Sequence, residues 1–421
     1  MMTATTAAGL APDPAATAAA DAFLQAAHGT PEGRRNPYPH YAGMRAAAPL
    51  YRSGLDGVWY ATRYADCKAI LTDPRAGRGP HRPAYGVAEA AAERFNARLG
   101  PTLILQNPPT HTRLRGLTRT AFSPRRVAVL GGRIRELAGS MLGTLAEAGT
   151  ADIVPLLAYP LPLVVIAELV GVPAADRGRF GTFLRDFAAA AGADAGPAEL
   201  AAAELAGADI DAYFADLLAR RRAHPEDDLV TALAEARDGD GALTDDEITS
   251  TAFMLFAAGF ATTTHAIGMG LLALLRNPDQ QARLWADPGL APDAVEEMLR
   301  YENPAQFVRR MMLEPMEIGG VRLAAGDDVV ALPGAANRDP ERFADPDRFD
   351  LTRPDNHTAS FGYGIHHCLG AALARLEMRN VLELMVERFA TVELADPDQP
   401  EPLTTWFLRG LDSLTLRVEP R

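Results

Sequence analysis

The chain has 421 residues, 48% of them hydrophobic and 23% charged, a globular composition with enough apolar material to enclose a ligand. Its 41 basic and 54 acidic residues leave a net charge of −13, which argues against a general nucleic-acid or anionic-membrane binder. Two cysteines cannot form a disulfide framework, so a reducing compartment is expected.

The opening MMTATTAAGLAPDPAATAAA has no basic n-region, and Pro12, Asp13 and Pro14 break its apolar run. Residues 1–35 therefore read as a disordered leader rather than a signal peptide, which with the thiol count places the protein in the bacterial cytoplasm. Alternation in GVWYATRY (57–64) predicts an early hairpin strand. Helical periodicity runs over 126–147, 155–170 and 199–222, the last ending in three arginines. Between the last two, FAAAAGADAGPA (187–198) is small and poor in contact-making side chains, as a mobile lid would be. From Ile248 to Leu275 there is no Asp, Glu, Lys or Arg. That length could span a membrane, but the central GFATTTHAIGMG makes a poor lipid-facing surface, so a helix buried in the core is expected. Thr244 and Glu247 form a capping-box pattern at its start, and Asn277-Pro278 ends it. MEIGGVRLAAGDDVVAL (316–332) reads as short hairpins and LTLRV (414–418) as a late strand. The predicted fold class is mainly α with a minor β part.

Cys368 lies in FGYGIHHCLG (361–370), just before a helix whose apolar positions are Leu369, Leu373, Leu376, Val381 and Leu384. The positive end of that helix favours a thiolate. An inert buried cysteine, a nucleophile, a zinc ligand and an iron ligand are all open at this point. Glycines at 362, 364 and 370 favour the last, because they let backbone pass close to a large flat ligand. A haem would need cations from separate segments for its two propionates. His111 and Arg115 share a helix face in HTRLR, two arginines stand in the apolar run FVRRMML (307–313), and His366 is a third source.

FGYGIHHCLG resembles the haem-binding loop of the cytochrome P450 family, F-G-x-G-x-H-x-C-x-G, at every fixed position. EMLR (297–300) is similar to the family's E-x-x-R, ADPDRF (344–349) to the segment that comes after it, NPPTHTRLR (107–115) to its C-helix signature and AGFATT (258–263) to its oxygen-binding helix. The motifs run in family order from about Pro37 to the C-terminus. The resemblance implies one large P450 haem-thiolate domain over 36–421, with haem b as cofactor. It makes Cys368 the metal ligand, with Phe361 near the sulfur and Gly362, Gly370 and Ala258 around the haem. It implies His111, Arg115, Arg310 and His366 as propionate partners. Arg310 is preferred to Arg309 by its spacing from EIGG (317–320), strand alternation turning Arg309 the other way. Glu297, Arg300 and Arg348 would form a structural network.

Catalytic roles fall to Gly259, Ala261 and Thr262 on the oxygen-binding helix. Here the chain departs from the family, which carries an acid where this sequence has Ala261. Thr262 keeps its hydroxyl, but protons must arrive by ordered water, by a polar group of the substrate or by His265, one turn on. Substrate-lining candidates are the loop 85–106, Phe256, Phe260, Gln306 with Phe307 and Val308, and Thr405 with Trp406 and Phe407. The implied activity is a monooxygenase that uses O2 to oxidise a medium-sized hydrophobic molecule of bacterial secondary metabolism, free or presented on a carrier protein. Electrons would come from a ferredoxin with its reductase, docking on Arg113, Arg119, Arg125, Arg126, Arg375 and Arg379. A monomer that binds neither nucleic acid nor membrane is expected. The alternatives are a peroxide-driven or non-hydroxylating haem enzyme and a non-catalytic haem protein.

Overall fold

The computed structural model describes residues 13–79, 102–119, 122, 124–180, 197–238, 241–396, 402 and 408–421. The first element corrects the expected leader. Asp13 accepts the Ala15 N–H at 3.0 Å, and Pro14 fills the first helical position, where no N–H is needed, so helix α1 runs Pro14–Gly29. Its Ala20, Leu24 and Ala27 are fully buried in one cluster with Tyr41 and Met44 of α2 (Tyr38–Ala47). Pro14, which helps to break a signal-peptide pattern, starts a helix instead.

A mixed sheet comes next, built from β1 (Leu50–Arg52), β2 (Trp59–Ala61) and β3 (Ala76–Gly77), with α3 (Tyr64–Thr72) between the last two. After it stand α4 (Thr110–Arg119), α5 (Pro124–Ala148), β4 (Thr150–Asp152), α6 (Pro160–Val170) and α7 (Pro197–Ala223). The long α8 covers Asp245–Leu275, and α9 covers Ala291–Tyr301. Strands β5 (Val308–Met312) and β6 (Asp328–Ala331) complete the first sheet in the order β1-β2-β6-β5-β3. The chain closes with α10 (Ala371–Arg388), β7 (Phe389–Leu394) and β8 (Thr415–Pro420), the two strands joining β4 in a second sheet. The mainly α architecture with minor sheets is as the sequence predicts.

Helix α8 starts with the complete capping box of Thr244 and Glu247. It is long and apolar enough to cross a membrane, yet most of it is buried against α6, α7 and α9. The pairing of β3 with β5 (Ala76 to Met312, Gly77 to Met311) carries the chain at Arg78 alongside Arg310. Most of the lid segment 187–198 lies outside the described residues.

Candidate functional site

The Cys368 loop is shaped by its own backbone. Gly362 and Gly364 have φ of 65° and 72°, the left-handed region that favours glycine. A Cβ on Gly364 would stand 2.4 Å from the Leu71 carbonyl oxygen of α3, so that turn tolerates no side chain. The Cys368 N–H donates to the Phe361 carbonyl at 2.9 Å, closing the loop just before α10. Cys368 remains exposed, with open space around Gly370. Protein atoms crowding the thiol push its pKa up, against the backbone N–H groups of Gly370 and Ala371 and the charges of Arg115 and Arg375, which pull it down. Phe361 lies next to this segment, under the Arg375 guanidinium at 4.4 Å.

A cluster of basic side chains gathers beside the loop. The rings of His111, from α4, and His366 are 4.3 Å apart. Arg310 turns into the cluster from β5, while its neighbour Arg309 turns away and pairs with Asp328 at 2.9 Å. Arg115, one turn from His111, donates to the His367 carbonyl at 2.7 Å. Arg78 is a member that sequence reasoning missed: a lone arginine after a two-residue strand carries no pattern. Among the described residues no carboxylate acts on Arg78, Arg310, His111 or His366. Burial is the main cause that lowers the pKa of each, His366 to about 2 and Arg310 to about 10. Both ring nitrogens of His366, Nε2 of His111 and Nε of Arg78 are buried without a hydrogen-bond partner.

Buried cations with orphaned donors and no acid are costly unless an anion joins them. Two carboxylates on a flat ligand reaching the Cys368 sulfur meet that need, so this donor set fits a haem. A zinc centre is not supported, because no group of three His, Cys, Asp or Glu side chains able to hold a metal ion occurs among the described residues.

Along α8 between Thr251 and Leu274 the residues that escape full burial are Ala257, Ala258, Gly259, Ala261, Thr262 and His265, with Ala258 the most exposed of these. Ala258, Thr262 and His265 recur at helical spacing on one open face, and the Thr262 hydroxyl donates to the Ala258 carbonyl at 3.1 Å. Helix α8 runs unbroken through Gly259. A Cβ there would sit 2.8 Å from Ile166, so its bareness lets α6 pack close. Two lining candidates are also placed elsewhere. Phe256 is 1% exposed, its ring 4.2 Å from Phe180, and Phe260 is 3% exposed, edge-on to Tyr159. Helix period alone does not tell which face of an all-apolar helix is open. Phe307 packs toward the α1–α2 cluster and Val308 toward the core under the first sheet. Gln306 is held by Tyr41 at 3.0 Å, while Thr405, Trp406 and Phe407 lie outside the described residues.

The acid of EMLR is fully buried. Glu297 accepts from Arg300 at 2.7 and 2.8 Å, from the Asp350 N–H and from Asn356. The second arginine of this network is Arg353, at 3.3 Å, and not Arg348. A turn closed by the Arg348 N–H to the Asp345 carbonyl leaves the Arg348 side chain exposed and directs its carbonyl inward, where Arg300 and Arg353 donate to it. Of the expected docking arginines, Arg113 pairs with Glu247, Arg375 with Glu296 and Arg379 with Glu383, which neutralises part of the patch. Arg119 stays exposed, and the Arg125 and Arg126 side chains are outside the described residues. Next to the loop a cleft of about 430 Å³ is lined by Lys68, Arg342, Arg375, Tyr64, Tyr363 and His367, among others.

Known proteins resemble this chain over most of its length. The profile of the family described as "Cytochrome P450" matches residues 207–287 and 290–417. The chain is 38% identical over 396 residues, 91% of its length and 96% of the relative's, to "6-deoxyerythronolide B hydroxylase" of Saccharopolyspora erythraea. It superposes with a TM-score of 0.83 and 33% identity, covering 93% of this chain and 99% of the other, on the Bacillus subtilis 168 "Bacillaene Polyketide Synthase (PKS) Cytochrome P450 PksS". It superposes equally well, with a TM-score of 0.84 and 33% identity over 92% of this chain and 99% of the other, on P450BioI in complex with a hexadec-9Z-enoic acid ligated acyl carrier protein.

Proposed function

The chain belongs to the cytochrome P450 family, and we propose that it is a haem-thiolate monooxygenase tailoring a hydrophobic natural product of the polyketide, peptide or terpenoid kind in bacterial secondary metabolism. The observation that carries this reading is the pairing of an exposed Cys368 just before α10 with a basic cluster beside it that holds no acid among the described residues. Cys368 would hold the iron of haem b, while Arg310, Arg115, His111 and His366 would hold its propionates. The bound haem supplies the activation of dioxygen. The chain's part is to seat it, exclude water with the buried face of α8, and hold a hydroxyl at Thr262. The reduced protein treated with carbon monoxide is expected to show the thiolate-type Soret band, lost in C368H; a wild-type protein without that band overturns the reading.

We further propose that the protein works as a monomer in the cytoplasm, and that a ferredoxin docks over the aromatic-lined cleft beside the Cys368 loop, where Lys68 stands with the ion pairs Arg375–Glu296 and Arg342–Asp355. The carrier-bound relative supports a substrate presented on a carrier protein as well as a free one. A second reading has its own observation: Ala261 leaves His265 the sole ionisable side chain between Ile248 and Leu275. Burial lowers the His265 pKa to about 4, so it is neutral at pH 7 and the open face of α8 carries no acid. Weak proton supply favours coupling or desaturation over hydroxylation. Restoring the acid in Ala261→Asp is expected to change the ratio of product to reduced cofactor consumed severalfold; an unchanged ratio and product pattern removes position 261 from proton control.

A further inference from the structure

The basic cluster holds more charge than its ligand needs. Arg78, Arg115 and Arg310 are three guanidiniums, permanently charged at neutral pH, whereas haem b brings two carboxylates. Arg78 is not there by default. Its N–H donates to Asn107 Oδ1 at 2.7 Å, and its carbonyl accepts from Asn107 Nδ2 at 2.7 Å, so one side chain grips its backbone from both sides. Its Nη1 and that of Arg310 donate to the same oxygen, the Arg309 carbonyl, at 2.9 and 3.0 Å. Two like charges are thus held side by side, with the Nε of Arg78 buried and unpartnered. Like charges at this separation repel, and their desolvation adds to the cost. Such an arrangement is maintained by strand pairing and the Asn107 grip, and it is relieved by an anion placed between the two guanidiniums.

Resting on the haem-thiolate reading, we propose that Arg78 is an additional haem anchor, which with Arg310 forms a two-guanidinium seat for one propionate. Its surplus charge makes the haem easier to reduce. The sign comes from charge: reduction adds one electron to the haem, and an uncompensated positive charge nearby favours the more negative state. Arg115 and the two histidines serve the other propionate.

The test uses the full-length haem protein and its R78Q and R78K variants. Two quantities are read: the rate of haem transfer to excess apomyoglobin, and the midpoint potential of the substrate-free protein in a dye-mediated redox titration. In R78Q, haem loss is expected to be about tenfold faster, the effect of losing one charge-assisted hydrogen bond, with a downward shift in potential. R78K keeps the charge but not the fork, so it is expected to lose haem faster while holding its potential near that of the wild type. A merely structural Arg78 would not move the potential. Unchanged haem loss and potential in R78Q overturn the proposal. Should R78Q not fold, Asn107→Ala frees the Arg78 backbone without removing charge; faster haem loss supports the seat, and an unchanged rate overturns it. A wild-type protein with a normal thiolate spectrum and a silent R78Q defeats this inference alone, whereas a wild type without that spectrum defeats the haem reading beneath it.

Discussion

Among the described residues, two of the clusters that hold buried arginine differ in one respect. Around Glu297, Arg300 and Arg353 share a buried carboxylate, and backbone carbonyls take their remaining N–H groups. Around His366, Arg78 and Arg310 have no acid among the described residues, share one carbonyl, and sit beside unpartnered histidine nitrogens. The first cluster is complete within the chain and acts as scaffold. The second is complete only with an anion from outside. Counting carboxylates, rather than counting charges, separates the two.

The comparison breaks or sharpens on three substitutions. Glu297→Gln should be the most damaging, because it leaves Arg300, 0% exposed, buried without its counter-charge. A loss of about 3–5 kcal/mol in denaturant unfolding is expected, and a near-neutral result would end the view of that cluster as self-compensated. Arg310→Leu should have the opposite sign in the haem-free protein. Removing an uncompensated buried cation is expected to leave it unchanged or more stable by about 1 kcal/mol, while haem is retained much less tightly. If the haem-free variant is instead as damaged as Glu297→Gln, the two clusters do not differ in kind. The smallest effect is expected from Arg348→Ala: that side chain is exposed, so the cost should stay within about 0.5 kcal/mol by thermal unfolding. A loss of several kcal/mol would return the network role to Arg348.

What is legible in the sequence is local. Glu297 and Arg300, one turn apart on a helix, declare their pairing by spacing, and Cys368 declares its site through the glycines before it. Which arginine completes the Glu297 network depends on a turn at Asp345, whose φ of 45° the sequence does not reveal, and so the motif points to Arg348 where Arg353 serves. Arg78 joins the site only through the β3–β5 pairing and Asn107, from 29 residues away, and neither leaves a mark on its own neighbourhood. Phe256, a substrate-lining candidate by sequence, is buried for a related reason: the Phe180 ring that packs on it comes from another segment.

The basic cluster is assembled from residues 78, 111, 115, 310 and 366, and the thiol arrives at 368 of 421. During synthesis, the ribosome therefore releases most of the cations long before the residue that secures their ligand. Until the last part of the chain emerges, Arg310 of β5 has no counter-charge, whereas its neighbour Arg309 finds Asp328 soon after. Capture of the cofactor is thus a late event in the life of each molecule. A product truncated before the Cys368 loop would carry three of the four basic segments and hold no haem.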